Sequence, residues 1–167
     1  MKTETPSLAA LIAEHPFARS LPREYVEILA HGATEAIHEP GQIIFAQGHP
    51  ANRFHLIVEG TVALEYHTPG RPDVLVQELG PGEALGWSWL FPPFVWQFQA
   101  RAVERCRLLV LDGAHLLVAS NRDHEFGFEL LQRVAQVVIH RMQAVRGQLV
   151  QASAKASGGS WSAPARR

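Results

Sequence analysis

Between Gly41 and Leu64 the chain reads Gly-Gln-Ile-Ile-Phe-Ala-Gln-Gly, and then Phe54-His-Leu-Ile-Val-Glu-Gly60-Thr-Val-Ala-Leu64. Glycines punctuate short runs of β-branched and aromatic residues, each at a point where a tight turn favours a residue without a Cβ. The pattern predicts strands over Ile43–Phe45, Arg53–Glu59 and Thr61–His67, with Gly48 ending the first and Gly60 dividing the other two. The same texture continues from Thr34 to Asp112. Pro40-Gly41, Pro69-Gly70 and Pro81-Gly82 are turn signals, Val74–Leu79 reads as a further strand, and Thr68–Asp73 as a hairpin loop. Short strands at this spacing fold into a sandwich or a rolled barrel.

Helical texture flanks this β region. Leu8, Leu11 and Ile12 share one face of a short helix, Pro16 interrupts it, and Pro22 opens a second helix carrying Tyr25, Val26, Ile28 and Leu29, closed by His31-Gly32. After Asp112, a good N-cap for a short helix through Leu116 and Leu117, Asp123 can cap a long helix from about Glu125 to Ala152. Leu131, Val138 and Val145 recur every seven residues, and Ala135, Met142 and Leu149 follow each by four, which forms an a/d seam. Beyond Val138 the chain has no further element to cover that stripe, so self-association as a homodimer is expected. Residues 153–167, rich in Ser, Ala and Gly, read as a disordered tail. The expected organisation is a helical segment over residues 1–33, a β domain over 34–122, a dimerisation helix over 123–152 and the tail.

The glycine-punctuated β stretch resembles the front half of the cyclic-nucleotide-binding domain of the catabolite activator and fumarate-nitrate regulator family. The resemblance covers about residues 20–150. It implies a mainly β fold, the double-stranded, jelly-roll-like β-roll, with N-terminal helices and a long C-terminal helix. It also implies a ligand site: a turn of helix between two strands, beginning Gly-Glu and ending in an Arg-Ser/Thr/Ala pair. Gly82-Glu83-Ala84-Leu85-Gly86 matches the first half. There, free amide N–H groups would meet a phosphate, and the Glu83 carboxylate would accept a ribose hydroxyl. The Arg-Ser position falls at Trp96-Gln97, so the expected cation is absent from its place. Losing a charge-assisted hydrogen bond of about 1.5–3 kcal/mol weakens binding by one or two orders of magnitude.

Arg101, on the same strand face as Gln97, and Arg146, where the family's long helix approaches the base, are the candidate substitute cations. Their alternatives are a strand-surface ion pair with Glu104 or Asp73, and a solvated helix flank. The aromatic run Trp87-Ser-Trp-Leu-Phe-Pro-Pro reads either as a satellite core or as a wall for a flat ligand. In regulators of this family a winged helix-turn-helix follows the long helix. The residues after Ala152 do not suffice for one, so DNA binding is not expected and an effector protein would read the signal.

Composition narrows the remaining classes. With 167 residues, 47% hydrophobic and 19% charged, the chain can bury one core, and its net charge of −1 offers no field for nucleic acid. The single cysteine, Cys106, precludes a disulfide framework and a four-cysteine iron–sulfur cluster, and suits a cytoplasmic location. There is no signal-like start and no membrane-length apolar run. The nine histidines show no metal-binding spacing, and no metal is assigned. The resemblance implies first a ligand-sensing regulatory module that binds a cyclic nucleotide or related nucleotide in the roll, with a haem-based gas or redox sensor on the same fold as the second reading and a ligand-free scaffold as the third. No nucleophile elbow, P-loop or paired carboxylates point to an enzyme.

Overall fold

The computed structural model describes residues 6–157. Helices α1 (Leu8–Glu14) and α2 (Arg23–Ala30), separated by a 3₁₀ turn at Pro16–Ala18, precede eight strands. These are β1 (Thr34–His38), β2 (Ile43–Phe45), β3 (Arg53–Glu59), β4 (Val62–Tyr66), β5 (Val74–Leu79), β6 (Ala84–Leu85), β7 (Gln99–Ala102) and β8 (Cys106–Asp112). A second 3₁₀ turn, Trp87–Leu90, lies between β6 and β7, and helices α3 (Gly113–Arg122) and α4 (His124–Ser157) complete the order. The strands form two antiparallel sheets, β1-β8-β3-β6 and β2-β7-β4-β5, which face each other as a roll.

Strand alternation explains the unbroken apolar runs in β3 and β8, because their sheet is covered on both faces. Phe54 and Leu56 of β3, with Leu109 and Leu111 of β8, point outward into a core formed with Ile12, Leu29, Phe126 and Val134 of the helices. Ile57 and Leu108 point inward and meet Val62, Leu79, Leu85, Ala100 and Ala102 inside the roll. Gly60 turns β3 into β4 at φ +87°, and a Cβ there would lie 2.5 Å from the Arg105 carbonyl oxygen and 2.8 Å from Cys106 Cα. Only glycine fits that position, as the punctuation of the sequence implies.

The caps fall where the side chains allow them. An Asp112 carboxylate oxygen accepts from the His115 N–H at 3.0 Å, and Asp123 accepts from Glu125 and Phe126 at 3.0 Å. The C-terminal boundary departs from expectation: α4 runs for 34 residues to Ser157, so the first part of the expected tail is helical. Ala152, Ala154, Lys155 and Ala156 bury little, but they are strong helix formers and simply extend an existing helix. The rest of that segment, residues 158–167, lies outside the described residues. Among the described residues, no helix is long and apolar enough to cross a membrane.

Candidate functional site

The roll holds a cavity of about 90 Å³, lined by Phe45 and Leu64 on one side and by residues of the Gly86–Ser88 and Trp96–Phe98 segments on the other. Trp96 controls it. The indole, 5% exposed, stacks on Phe45 with ring centroids 4.1 Å apart and planes 18° from parallel. Its backbone is fixed on both sides: the N–H donates to the His49 carbonyl at 2.9 Å, and its carbonyl accepts from Gly48 at 2.8 Å.

Opposite the indole stands Gly86, with φ +84°, immediately before the Trp87–Leu90 turn. A Cβ on Gly86 would meet the Trp96 ring at 3.0 Å and His55 Nδ1 at 3.2 Å, so the missing side chain is what lets the indole lie against the backbone. Drug-sized and cofactor sites enclose about 300–1,000 Å³, more than three times the space that remains.

His55 reaches the same region from β3. Burial, with weaker repulsion from His38 and Arg53, pushes its imidazole down to about 3, so the ring is neutral. Its Nδ1 is shielded from water and has no partner. The nitrogen faces the Gly86 backbone and the Trp96 ring rather than a void, so a porphyrin has no slot beside it. Among the described residues no group of three or more His, Cys, Asp or Glu could hold a metal ion.

Of the residues expected at the ligand site, the structure brings together only Gly86, Trp96 and Gln97. The helical turn begins after Gly86, not after Gly82. The amide groups following Pro81 are not a free cup: the Gly82 N–H donates to the Ile57 carbonyl at 2.9 Å, and the Glu83 N–H to Gly80 at 3.2 Å. The Glu83 carboxylate closes that turn by accepting from the Gly80 N–H at 2.8 Å. Ala84 and Leu85 form β6 against β3, with Leu85 in the inner core. Gly82, Glu83 and Ala84 instead line a cleft outside the roll, with Pro16, Phe17 and α4. The Gly-Glu dipeptide occurs at a strand-pairing turn here, and the match of letters concealed that β6 needs its two residues for pairing.

Arg101 also sits elsewhere. Its neighbours Ala100 and Ala102 point inward, so the guanidinium lies on the outer face of the second sheet, where it pairs with the buried carboxylate of Glu65. The surface-pair alternative thus holds, with Glu65 rather than Glu104 as the partner; Asp73 lies near enough to add to the charge-stabilisation of the guanidinium. Arg146 is exposed on α4 and lines a surface groove with Trp87 and Met142, not the roll cavity itself.

Sequence reasoning missed Arg141. It shares a helix side with the core-facing Val134, Val137 and Val138, a phase that could have revealed it. Its Nη2 donates to the Ala84 carbonyl at 2.9 Å, and its guanidinium lies 5.5 Å from the centroid of the Trp87 ring. Of the expected seam, Leu131, Ala135, Met142 and Leu149 are exposed and Val138 and Val145 half-buried; Met142 and Leu149 are 64% and 65% exposed.

Comparison with known proteins agrees with this fold. A provisionally named cyclic nucleotide-binding protein from Geobacter metallireducens superposes with a TM-score of 0.73 at 28% identity, covering 83% of this chain and 99% of that one. The catabolite activator protein of Thermus thermophilus gives 0.64 at 25% identity, covering 83% of this chain and 63% of that one. A provisionally named potassium channel protein of Rhodopseudomonas palustris is 31% identical over 96 residues, which are 58% of this chain and only 23% of that protein. The family profile described as the cyclic nucleotide-binding domain matches residues 37–123. This chain belongs to the cyclic nucleotide-binding domain family.

Proposed function

We propose that this chain is a non-catalytic regulatory module that works without a cyclic nucleotide in its roll and presents α4 to a second copy and to an effector protein. The observation that supports this reading is the Trp96 ring, stacked on Phe45 and laid against Gly86, which leaves only about 90 Å³ beside it. Displacing a buried tryptophan of 150–250 Å² into water costs about 4–6 kcal/mol at about 25 cal/mol per Å². That cost weakens an otherwise micromolar nucleotide by about three to four orders of magnitude, before the missing cation is counted.

The exposed Leu131, Met142 and Leu149 support the helix-mediated homodimer, since an unbroken apolar stripe on a surface marks an interaction site. Calorimetric titration with cyclic AMP and cyclic GMP tests the nucleotide-free reading. No heat of binding up to about 1 mM ligand is expected. Saturation below that concentration would restore a nucleotide-gated module in which Trp96 must swing aside.

A further inference from the structure

We infer that the cleft between α4, the Pro16–Ala18 turn and the Gly82–Ala84 segment binds a small phosphate-bearing molecule between Arg133 and Arg141. The cleft lies outside the roll, so it does not depend on the position of Trp96. It measures about 360 Å³, inside the range of small-molecule sites. The two arginines are eight residues apart on α4, about 12 Å of helical rise, and flank the cleft with Gln136 and His140 between them.

Both guanidinium groups are held in place but incompletely satisfied. Arg133 Nη1 donates to the Phe17 and Arg19 carbonyls at 2.9 and 3.1 Å, and its Nη2 lies 3.8 Å from the Glu129 carboxylate. Arg141 Nη2 is fixed by the Ala84 carbonyl. Arg133 Nε and Arg141 Nη1 remain shielded from water without a partner, as does Gln77 Oε1. The protein therefore leaves one donor of each arginine without an acceptor of its own, although water in the cleft does not reach these two atoms and Gln77 Oε1, an acceptor, adds nothing for an anion.

A guanidinium cannot shed its proton to relieve burial, so the charge persists and attracts an anion. Burial pushes Arg141 down and the Glu83 carboxylate opposes that shift, yet this carboxylate is already engaged by the Gly80 N–H. Guanidinium forks match phosphate oxygens in pairs. Two such groups lining one cleft can each take a phosphoryl group, which favours a diphosphate over a single phosphate.

The test is calorimetry on the full chain at low ionic strength with pyrophosphate, inorganic phosphate and citrate, with tryptophan fluorescence reporting on Trp87 beneath Arg141. Saturable pyrophosphate binding at one per chain is expected, with phosphate weaker and citrate weaker still. Gln136→Glu places a carboxylate at an exposed position in the cleft without touching the core, and should raise Kd at least about tenfold. Gln148→Glu makes the same charge change further along α4, outside the cleft, and should leave Kd within about twofold. Absence of saturable pyrophosphate binding to about 10 mM, equal weakening by both variants, or citrate binding as tightly as pyrophosphate would each overturn the assignment.

Discussion

Replacing Trp96 with alanine is the most direct challenge to the packing inside the roll. The side chain is 5% exposed, so nearly all of its surface returns to water on unfolding. A buried tryptophan of 150–250 Å² is worth about 4–6 kcal/mol by area, and measured Trp→Ala costs in cores are about 3–5 kcal/mol. The Phe45 stack adds about 0.5–1.5 kcal/mol, so a loss of about 4 kcal/mol is expected. With a urea dependence of about 2 kcal/mol per M, the midpoint should fall by about 2 M. The vacated space joins the existing cavity of about 90 Å³ beside Phe45 and Leu64, and an apolar hole of that kind accepts a matching aromatic guest. Indole at 100 times its dissociation constant should restore about 2.7 kcal/mol. A loss below about 1 kcal/mol, or a full loss that indole leaves untouched, would refute the claim that this ring fills the roll.

Gly60→Ala should destabilise the fold by well over about 1 kcal/mol in the same assay, because a backbone oxygen stands 2.5 Å from the new methyl, whereas Gly41→Ala meets nothing within 4 Å and should cost only its positive-φ strain. His55 is depressed from 6.5 to about 3, so between those values the unfolded chain takes up a proton that the folded one refuses. Stability contributed by this residue is therefore complete above pH 6.5 and falls by about 1.4 kcal/mol per unit as pH drops toward 3. His55→Leu should remove that slope in urea titrations at pH 7, 5 and 4, leaving the parts due to His15 and His38, which burial also depresses, and at the acid end to Glu35 and Asp112, whose hydrogen-bonded carboxylates are held below their ordinary values. Val138→Glu with Val145→Glu should give a monomer by light scattering where the wild type is a dimer; a wild-type monomer, or a variant of unchanged dimeric mass, would refute the seam.

Turn chemistry made the architecture readable. Ile43–Phe45, Arg53–Glu59 and Val74–Leu79 are strands at the expected boundaries, because Gly48, Gly60 and Pro81-Gly82 limit where hydrogen-bond ladders can continue. The ends of elements without such marks drifted: Thr61 and His67 fall outside β4, and α4 outran its apolar stripe because propensity alone sustains its last turns. The site was harder to read. Gly82-Glu83 and Gly86-Trp87 both look like a turn entering a helix, and only the pairing of Ala84 and Leu85 with β3 tells them apart. That pairing is a long-range contact with no local signature. Arg101 is hard to place for a related reason: Gln99-Ala100-Arg101-Ala102 offers no large apolar residue to mark the inner face, and only the packing of Ala100 and Ala102 inside the roll turns Arg101 outward. The arginines of α4 could be found only through the phase of the helix against its core.

The two-residue strand β6 touches both the interior of the roll and the long helix. Leu85 belongs to the interior of the roll, the carbonyl of Ala84 holds Arg141 of α4, and Gly86, the next residue, carries the indole contact. Any rearrangement at the tryptophan therefore sits one peptide from a strand whose far side grips the external helix. Two peptides thus separate the residue that seats the indole from the carbonyl that holds a 34-residue helix.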